Sequence, residues 1–383
     1  MSSPLKIGLV AGESSGDQLG AGLIRSLKLH YPEAQFEGIG GDKMLSEGFR
    51  SLYPMDRLSV MGFIEPLKRL PELLGIRRHL YQHFTNNRFD LVVGIDSPDF
   101  NLGLEKKLRQ QGLLTAHYVS PSVWAWRQGR VKKIASAVDL MLTLLPFEAD
   151  FYKQHDVPVV FVGHPLAEEI PLVTDSIQAR KTLNLPEDGR ILTLMPGSRA
   201  SEVDSLGRLF LDVAQSCRRQ LPGLHLVVPA ASHDRLEQLN GLLNEYPELS
   251  VTLLEGQSHL AMAAADVVLL SSGTSTLEAM LLNKPMVVSY RLGKWTYALV
   301  SRMLKVPWVS LPNLLASEAL VPELLQDNAT VDNLSNAVLA YFLDEKKVLA
   351  LQHRFAELHQ TLRHGGNRAA GQALVDLLED RRR

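Results

Sequence analysis

Short apolar runs alternate with helix-period segments almost from end to end, and the alternation falls into two series separated by a polar, proline-containing stretch at 165–188. From about Val331 onward the pattern is helical only. Together these features predict an α/β protein of two doubly wound, Rossmann-like domains facing across a cleft, with C-terminal helices crossing back to the first domain.

The first series offers strands at Leu5–Ala11, Leu91–Ile95, Thr115–Val119, Leu140–Leu144 and Val159–Val162. The second offers Ile191–Met195, Leu224–Val228, Val251–Leu254, Val267–Leu270 and Met286–Ser289. Strands spaced by helices imply right-handed βαβ units and parallel sheets covered on both faces. The expected boundaries are 1–170 for the first domain, 171–345 for the second, and 346–383 for the returning helices. At 383 residues the chain is too long for one ordinary core.

Composition narrows the function classes. Hydrophobic residues make up 45% and charged residues 21%, as in soluble globular proteins. A net charge of −2 gives no overall nucleic-acid footprint. Cys217 is the only cysteine, which excludes an intrachain disulfide or a cysteine-rich metal site. The apolar start, Ile7–Ala11, is too short for a signal-peptide core, and no apolar run reaches the length of a membrane span. A cytoplasmic protein that meets membranes only from the surface is expected.

The stretch Ala265–Val288, ADVVLLSSGTSTLEAMLLNKPMVV, reads as strand, glycine turn, helix and strand. Its turn, with Gly273, Thr274 and Ser275, puts hydroxyls and unpartnered amides at a helix N-terminus, a ready anion site. Glu278, one turn on, is placed to accept from a ribose hydroxyl. The plain alternative is that Thr274 or Ser275 caps the helix. A second turn of this kind follows at Met195-Pro196-Gly197-Ser198-Arg199. Gly197 permits close backbone approach, Ser198 adds a hydroxyl, and Arg199 can grip a phosphate through two nitrogens. No Walker lysine follows, so this is not a P-loop. Two such turns in one domain suit the diphosphate of a nucleotide sugar.

In the first domain, Gly12-Glu13-Ser14-Ser15-Gly16 follows the first strand and matches the nucleophile elbow G-x-S-x-G. In hydrolases an earlier strand supplies the oxyanion hole, and almost no chain precedes Gly12. A hydrolase using Ser14 therefore competes with a glycine-rich cleft floor and with a simple helix start. Asp96, in Gly94-Ile95-Asp96-Ser97-Pro98, falls where a strand ends, and a carboxylate there suits a general base or a helix cap. Trp124 and Trp126, beside Arg127, Arg130, Lys132 and Lys133, read either as stacking and phosphate contacts or as a buried corner.

The stretch 57–84 is unusually apolar for a surface segment. Val60, Met61, Phe63, Ile64, Leu67, Leu70, Leu73 and Leu74 are interleaved with Lys68 and Arg69. Basic amphipathic segments bind anionic membrane surfaces, whereas a core helix beneath the sheet is the alternative. Pro66 and Pro71 argue against one continuous helix.

These motifs resemble one family. VAGESSGD, VVGIDSPDFN, HYVSPSVWAWRQGRVKKI, LMPGSR, SSGTSTLEAMLLNKPMVVSYR and VSLPNLLA are similar to segments of the lipid-A-disaccharide synthases, inverting glycosyltransferases of the GT-B fold, over nearly the whole chain. The resemblance implies transfer of diacylglucosamine from its UDP derivative to the 6-hydroxyl of 2,3-diacylglucosamine 1-phosphate. The products would be a β-1,6-linked disaccharide 1-phosphate and UDP. It also implies Asp96 as base, Arg199, Glu278 and Asn313 as donor contacts to diphosphate, ribose and nucleotide, and Glu13, Ser15 and Asp17 as cleft-floor residues. Ser275 stands where the family commonly has Ala.

No cofactor and no metal are expected. There is no Asp-x-Asp-like pair near the donor turns, so helix dipoles and Arg199 would offset the leaving charge. The implied partners are the two lipid substrates and inner-membrane lipids, not nucleic acid, with a homodimer formed through an exchanged C-terminal segment as a further implication. The implied location is the cytoplasmic face of the inner membrane. Another GT-B UDP-sugar enzyme, an epimerase or a peptidoglycan-type transferase, is the nearest alternative.

Overall fold

The computed structural model describes residues 4–58, 65–126, 128–293 and 305–382, the side chains of 65–68 and 382 aside. Two compact units emerge, one formed by Met1–Glu168 with Leu362–Arg383 and the other by Glu169–Thr361. Both are parallel sheets clothed by helices, as the alternation of apolar runs and helical periods requires.

The first unit contains β1 (Lys6–Ala11), β2 (Gln35–Ile39), β3 (Arg50–Tyr53), β4 (Leu91–Ile95), β5 (Leu114–Tyr118), β6 (Leu140–Thr143) and β7 (Val159–Phe161). Their order is β3-β2-β1-β4-β5-β6-β7. The second unit contains β8 (Ile191–Met195), β9 (His225–Ala230), β10 (Val251–Glu255), β11 (Val267–Ser271), β12 (Met286–Tyr290) and β13 (Glu323–Leu325), ordered β10-β9-β8-β11-β12-β13. β2, β3 and β13 carry too few apolar residues, or are too short, to stand out in the sequence. β2 reads Gln-Phe-Glu-Gly-Ile, and β13 has only three residues.

Strand order reverses between β1 and β4 in the first sheet and between β8 and β11 in the second. In open parallel sheets the two loops leaving such a switch point diverge to opposite faces and open a crevice beyond the strand ends. Ala11 pairs with Ile95, and Leu270 with Met195. The Gly12 and Asp96 turns therefore leave one switch point, and the Met195 and Gly273 turns leave the other.

The helix Ser14–His30 buries Leu19, Leu23, Ile24 and Leu27 against the first sheet. The helix Asn367–Arg382 packs on it, contributing Ala370, Leu374, Val375 and Leu378 to the same core. The helix Glu345–Leu362, by contrast, lies almost wholly in the second unit. The change-over that the sequence suggests at 346 falls at Leu362.

The polar stretch near 165–188 is fastened to the second unit. Buried Arg180 pairs with Asp266 at 2.9 Å and donates to the carbonyl of Ala264 at 3.0 Å. Lys284, also buried, donates to Ser176 at 2.7 Å and to the carbonyl of Ala265 at 2.9 Å.

The helix Glu65–Asn86 runs unbroken through Pro71, contrary to the expectation from its prolines. Pro71 removes one backbone hydrogen bond, which the packing of Ile76, Leu80 and Phe84 offsets. The second half of this helix is core, since Ile76, Leu80 and Phe84 are buried with Leu58. Leu70 and Leu74 remain exposed, at 45% and 46%.

Candidate active site

In the second unit, a pocket of about 430 Å³ opens beyond the carboxyl ends of β8 to β11. Gly197, Ser198 and Arg199 line it from the β8 turn, and Gly273, Thr274 and Ser275 from the β11 turn, with Glu278 one turn deeper. Arg199 projects into solvent, its side chain 77% exposed. Neither Thr274 nor Ser275 makes a side-chain cap; the helix Thr274–Leu281 begins from Gly273 without one. It is Thr276, buried, whose hydroxyl donates back to the carbonyl of Gly273 at 2.8 Å. The Thr274 and Ser275 hydroxyls have no partner among the described residues and border the pocket.

One pocket residue and one neighbour of the pocket escape a motif reading. Glu202 lines the β8 turn and binds its backbone. His259 stands 3.5 Å from Glu278, whose hydrogen bond and charge raise the imidazole pKa. Glu202 was detectable as the third residue of the helix Ala200–Gln220, the position from which a glutamate reaches back to the N-terminal amides. For His259 the sequence carries no signal.

Asn313 is not in the pocket lining. It is buried, donating to Glu323 at 2.9 Å and to the carbonyl of Val321 at 3.0 Å, while its oxygen accepts from the amide of Val321 at 2.8 Å. Its amide is thus committed to the fold. Glu323 also accepts from the amides of Val309 and Ser310. That segment in turn meets the β11 turn through Ser272 and Thr276, so Asn313 braces the pocket wall from behind.

In the first unit, Glu13, Ser14 and Ser15 are exposed at the start of the helix Ser14–His30 and make no side-chain hydrogen bond among the described residues. Among the described residues Ser14 thus has no hydrogen-bonded base, as a hydrolase would require. A Cβ on Gly12 would lie 2.6 Å from the Ser97 hydroxyl, so this turn and the Asp96 turn pack directly together. Asp96 is half-buried, and its carboxylate has no hydrogen-bond partner among the described residues. Asp17 is different. It is 4% exposed and accepts from the amides of Gly41, Lys43 and Met44 at 2.8, 3.0 and 3.1 Å, so its charge is spent on holding that loop.

Trp124 belongs to a packed corner. Its indole donates to Glu148 at 3.1 Å and its ring meets Phe147 edge-on. Arg130 pairs with Asp99 at 2.6 Å. Arg127, Val60, Met61, Phe63 and Ile64 lie outside the described residues, as do the side chains of Leu67 and Lys68. Arg69 is engaged with Glu72 at 3.1 Å and with the carbonyl of Arg57 at 2.9 Å. Leu73 is half-buried against the core, which leaves Leu70 and Leu74 as the exposed apolar pair. Among the described residues, no three His, Cys, Asp or Glu side chains gather as a metal site, and no helix is long and apolar enough to cross a membrane.

Two parallel-sheet units, each with its switch-point turns, make up a GT-B fold. The fold is shared with the UDP-GlcNAc 2-epimerase of Neisseria meningitidis bound to UDP-GlcNAc, with a TM-score of 0.65 at 13% identity, covering 98% of this chain and 100% of that one. It is shared also with Acinetobacter baumannii MurG, with a TM-score of 0.55 at 13% identity, covering 98% and 99%. At such identities the likeness is one of fold. Residues 7–376 match the family model described as lipid-A-disaccharide synthetase. The chain is 54% identical over 379 residues to the lipid-A-disaccharide synthase of Cellvibrio japonicus, covering 99% of each. It is 52% identical over 381 residues to that of Pseudomonas aeruginosa, covering 100% of each. The chain belongs to the lipid-A-disaccharide synthase family.

Proposed function

We propose that this glycosyltransferase condenses UDP-2,3-diacylglucosamine with 2,3-diacylglucosamine 1-phosphate, giving the β-1,6-linked lipid A disaccharide 1-phosphate and UDP. The observation that carries the reading is the family match over nearly the whole chain, joined to a pocket that collects Arg199, Gly273 and Glu278 beyond the strand ends. Identity above half over that length outweighs the fold likeness to epimerases and to MurG.

In this reading the second unit holds the donor. The amides and hydroxyls of Gly273, Thr274 and Ser275 face the diphosphate beside Gly197 and Ser198, and Arg199 offsets charge as UDP leaves. Glu278 accepts from the ribose. Asn313 serves the nucleotide indirectly, through the wall it braces. In the first unit Asp96 takes the proton of the acceptor 6-hydroxyl for a single displacement with inversion, and Glu13 and Ser15 sit at the adjacent turn. A carboxylate without internal partners at the end of a central strand is suited to that task.

The acyl chains need apolar surface, and each buried CH₂ contributes about 0.8 kcal/mol. The 57–84 segment, with Leu70 and Leu74 exposed, supplies it and sets the enzyme against the cytoplasmic face of the inner membrane. The helix Asn367–Arg382 is the segment that two copies would exchange in a homodimer, which light scattering across a dilution series can check.

The direct test incubates purified protein with both lipid substrates and follows the disaccharide. Formation of disaccharide and UDP supports the assignment, and UDP release without disaccharide refutes it. Asp96→Asn should lower kcat by about 10²-fold or more; an unchanged rate removes Asp96 as base. Replacing Leu70 and Leu74 by serine should release the protein from anionic vesicles, and retention there would refute the membrane reading.

A further inference from the structure

Asp96 owes its placement to the backbone alone, and that backbone is strained. β4 ends in two successive left-handed residues, Asp96 at φ 51° and Ser97 at φ 45°, while Val119, just beyond β5, stands at φ 80°. Such conformations are unfavourable for non-glycine residues and persist only where the surroundings enforce them.

We propose that Asn101 is the positioning residue for Asp96; this rests on the reading of Asp96 as base. Asn101 is fully buried in the helix Pro98–Gln110. Its Nδ2 donates to the carbonyl of Asp96 at 2.8 Å and lies 3.2 Å from the carbonyl of Val10 and 3.5 Å from that of Ile95. Those carbonyls are the ends of β1 and β4, so one amide clamps both sides of the switch point. One helical turn on, Glu105 meets His117 Nδ1 at 2.8 Å with both side chains enclosed. His117 stands opposite Gly94 in register. A Cβ on Gly94 would lie 2.1 Å from Glu105 Oε1 and 2.7 Å from the Asn101 Cβ, so the missing side chain of Gly94 is the space this cluster fills.

The cluster is expensive. Asn101 Oδ1, Glu105 Oε2 and His117 Nε2 are buried without a protein partner among the described residues, and unpaired buried polar atoms cost more than apolar ones of the same size. An apolar filling would serve stability better. What it would not supply is a donor for the Asp96 carbonyl. An isosteric carboxyl group supplies none when ionised, and when protonated a single O–H in place of the two N–H donors of the amide.

The test is a mutant cycle on the full-length protein. Asn101→Asp should lower kcat about 30-fold or more while leaving UDP affinity, read by calorimetry, within about twofold, since the donor turns lie in the other unit. In an Asp96→Asn background the same change should cost less than about twofold, because the group it positions is already gone. Should Asn101→Asp fail to fold, Asn101→Ser runs the same cycle. If the two losses multiply, or if UDP binding falls in step with kcat, Asn101 does not act through Asp96 and the proposal is overturned. If Asp96→Asn alone leaves the rate intact, the base assignment fails first and takes this inference with it.

Discussion

Glu202 holds Arg199 at both its ends. One carboxylate oxygen accepts from the amides of Ser198 and Arg199 at 3.0 and 3.2 Å, and the other lies 3.3 Å from the Arg199 guanidinium. The turn proposed to receive a phosphate thus carries an anion of its own, set at the positive end of a 21-residue helix.

The two residues should fail differently. Glu202→Ala removes a cap, and should lower stability by about 1 kcal/mol, read as a reduced melting temperature. Arg199→Ala removes an exposed cation, and should leave melting unchanged while reducing kcat/KM for the UDP donor about 10²–10³-fold. Equal losses of stability would show that the guanidinium serves the fold.

Burial raises the Glu148 carboxyl pKa to about 8, against the opposing pull of the Leu145 amide and the Trp124 indole. The native state therefore keeps a proton that the unfolded chain sheds near pH 4.5. The contribution of Glu148 to stability is fully present below that pH, and declines as pH rises toward 8. Glu148→Gln keeps the neutral form throughout. Between pH 6 and 9 the parent's melting temperature should fall more steeply than the variant's, and parallel curves would refute the assignment.

His259 titrates with the opposite partner. Glu278 beside it raises its pKa above 6.5, so the pair contributes fully below the unfolded value and fades as pH rises through the folded one. Both side chains retain solvent contact, which keeps the effect small. His259→Gln should flatten the stability profile across neutral pH, measured by chemical denaturation at several pH values. An unchanged profile would exclude the pair.

Asp17 distinguishes a structural carboxylate from a catalytic one. With three backbone amides dependent on it, Asp17→Ala should destabilise by about 1–3 kcal/mol, and activity should decline with the folded fraction. Full stability with lost turnover would return Asp17 to the cleft floor that the family resemblance implies.

The central strands were legible because their burial is two-sided: Val92, Val93 and Val267–Leu270 are apolar without interruption. The turns were legible because glycine and hydroxyl residues interrupt those runs at the strand ends. Asn313 and Asp17 both have backbone partners that the sequence does not reveal, for a common reason. A polar residue in a motif looks the same whether its hydrogen bonds go to a ligand or to backbone amides of its own chain, and only the partners decide. The continuous helix through Pro71 was hidden because the packing that offsets the proline, at Ile76, Leu80 and Phe84, shows only in the fold. Glu105 and His117 could not be joined from sequence, since His117 reaches Glu105 only through the β4–β5 register.

The helix Asn367–Arg382 completes a core begun by Ser14–His30, and this orders events during synthesis. The first unit lacks a wall until everything from Glu169 to Thr361 has left the ribosome, a wait of roughly 10–40 s at ordinary elongation rates. The later-made unit is the one whose residues are contiguous, so it can close first. Until the final helix arrives, the face of Ser14–His30 that carries Gly22 and Ser26 stays open to water.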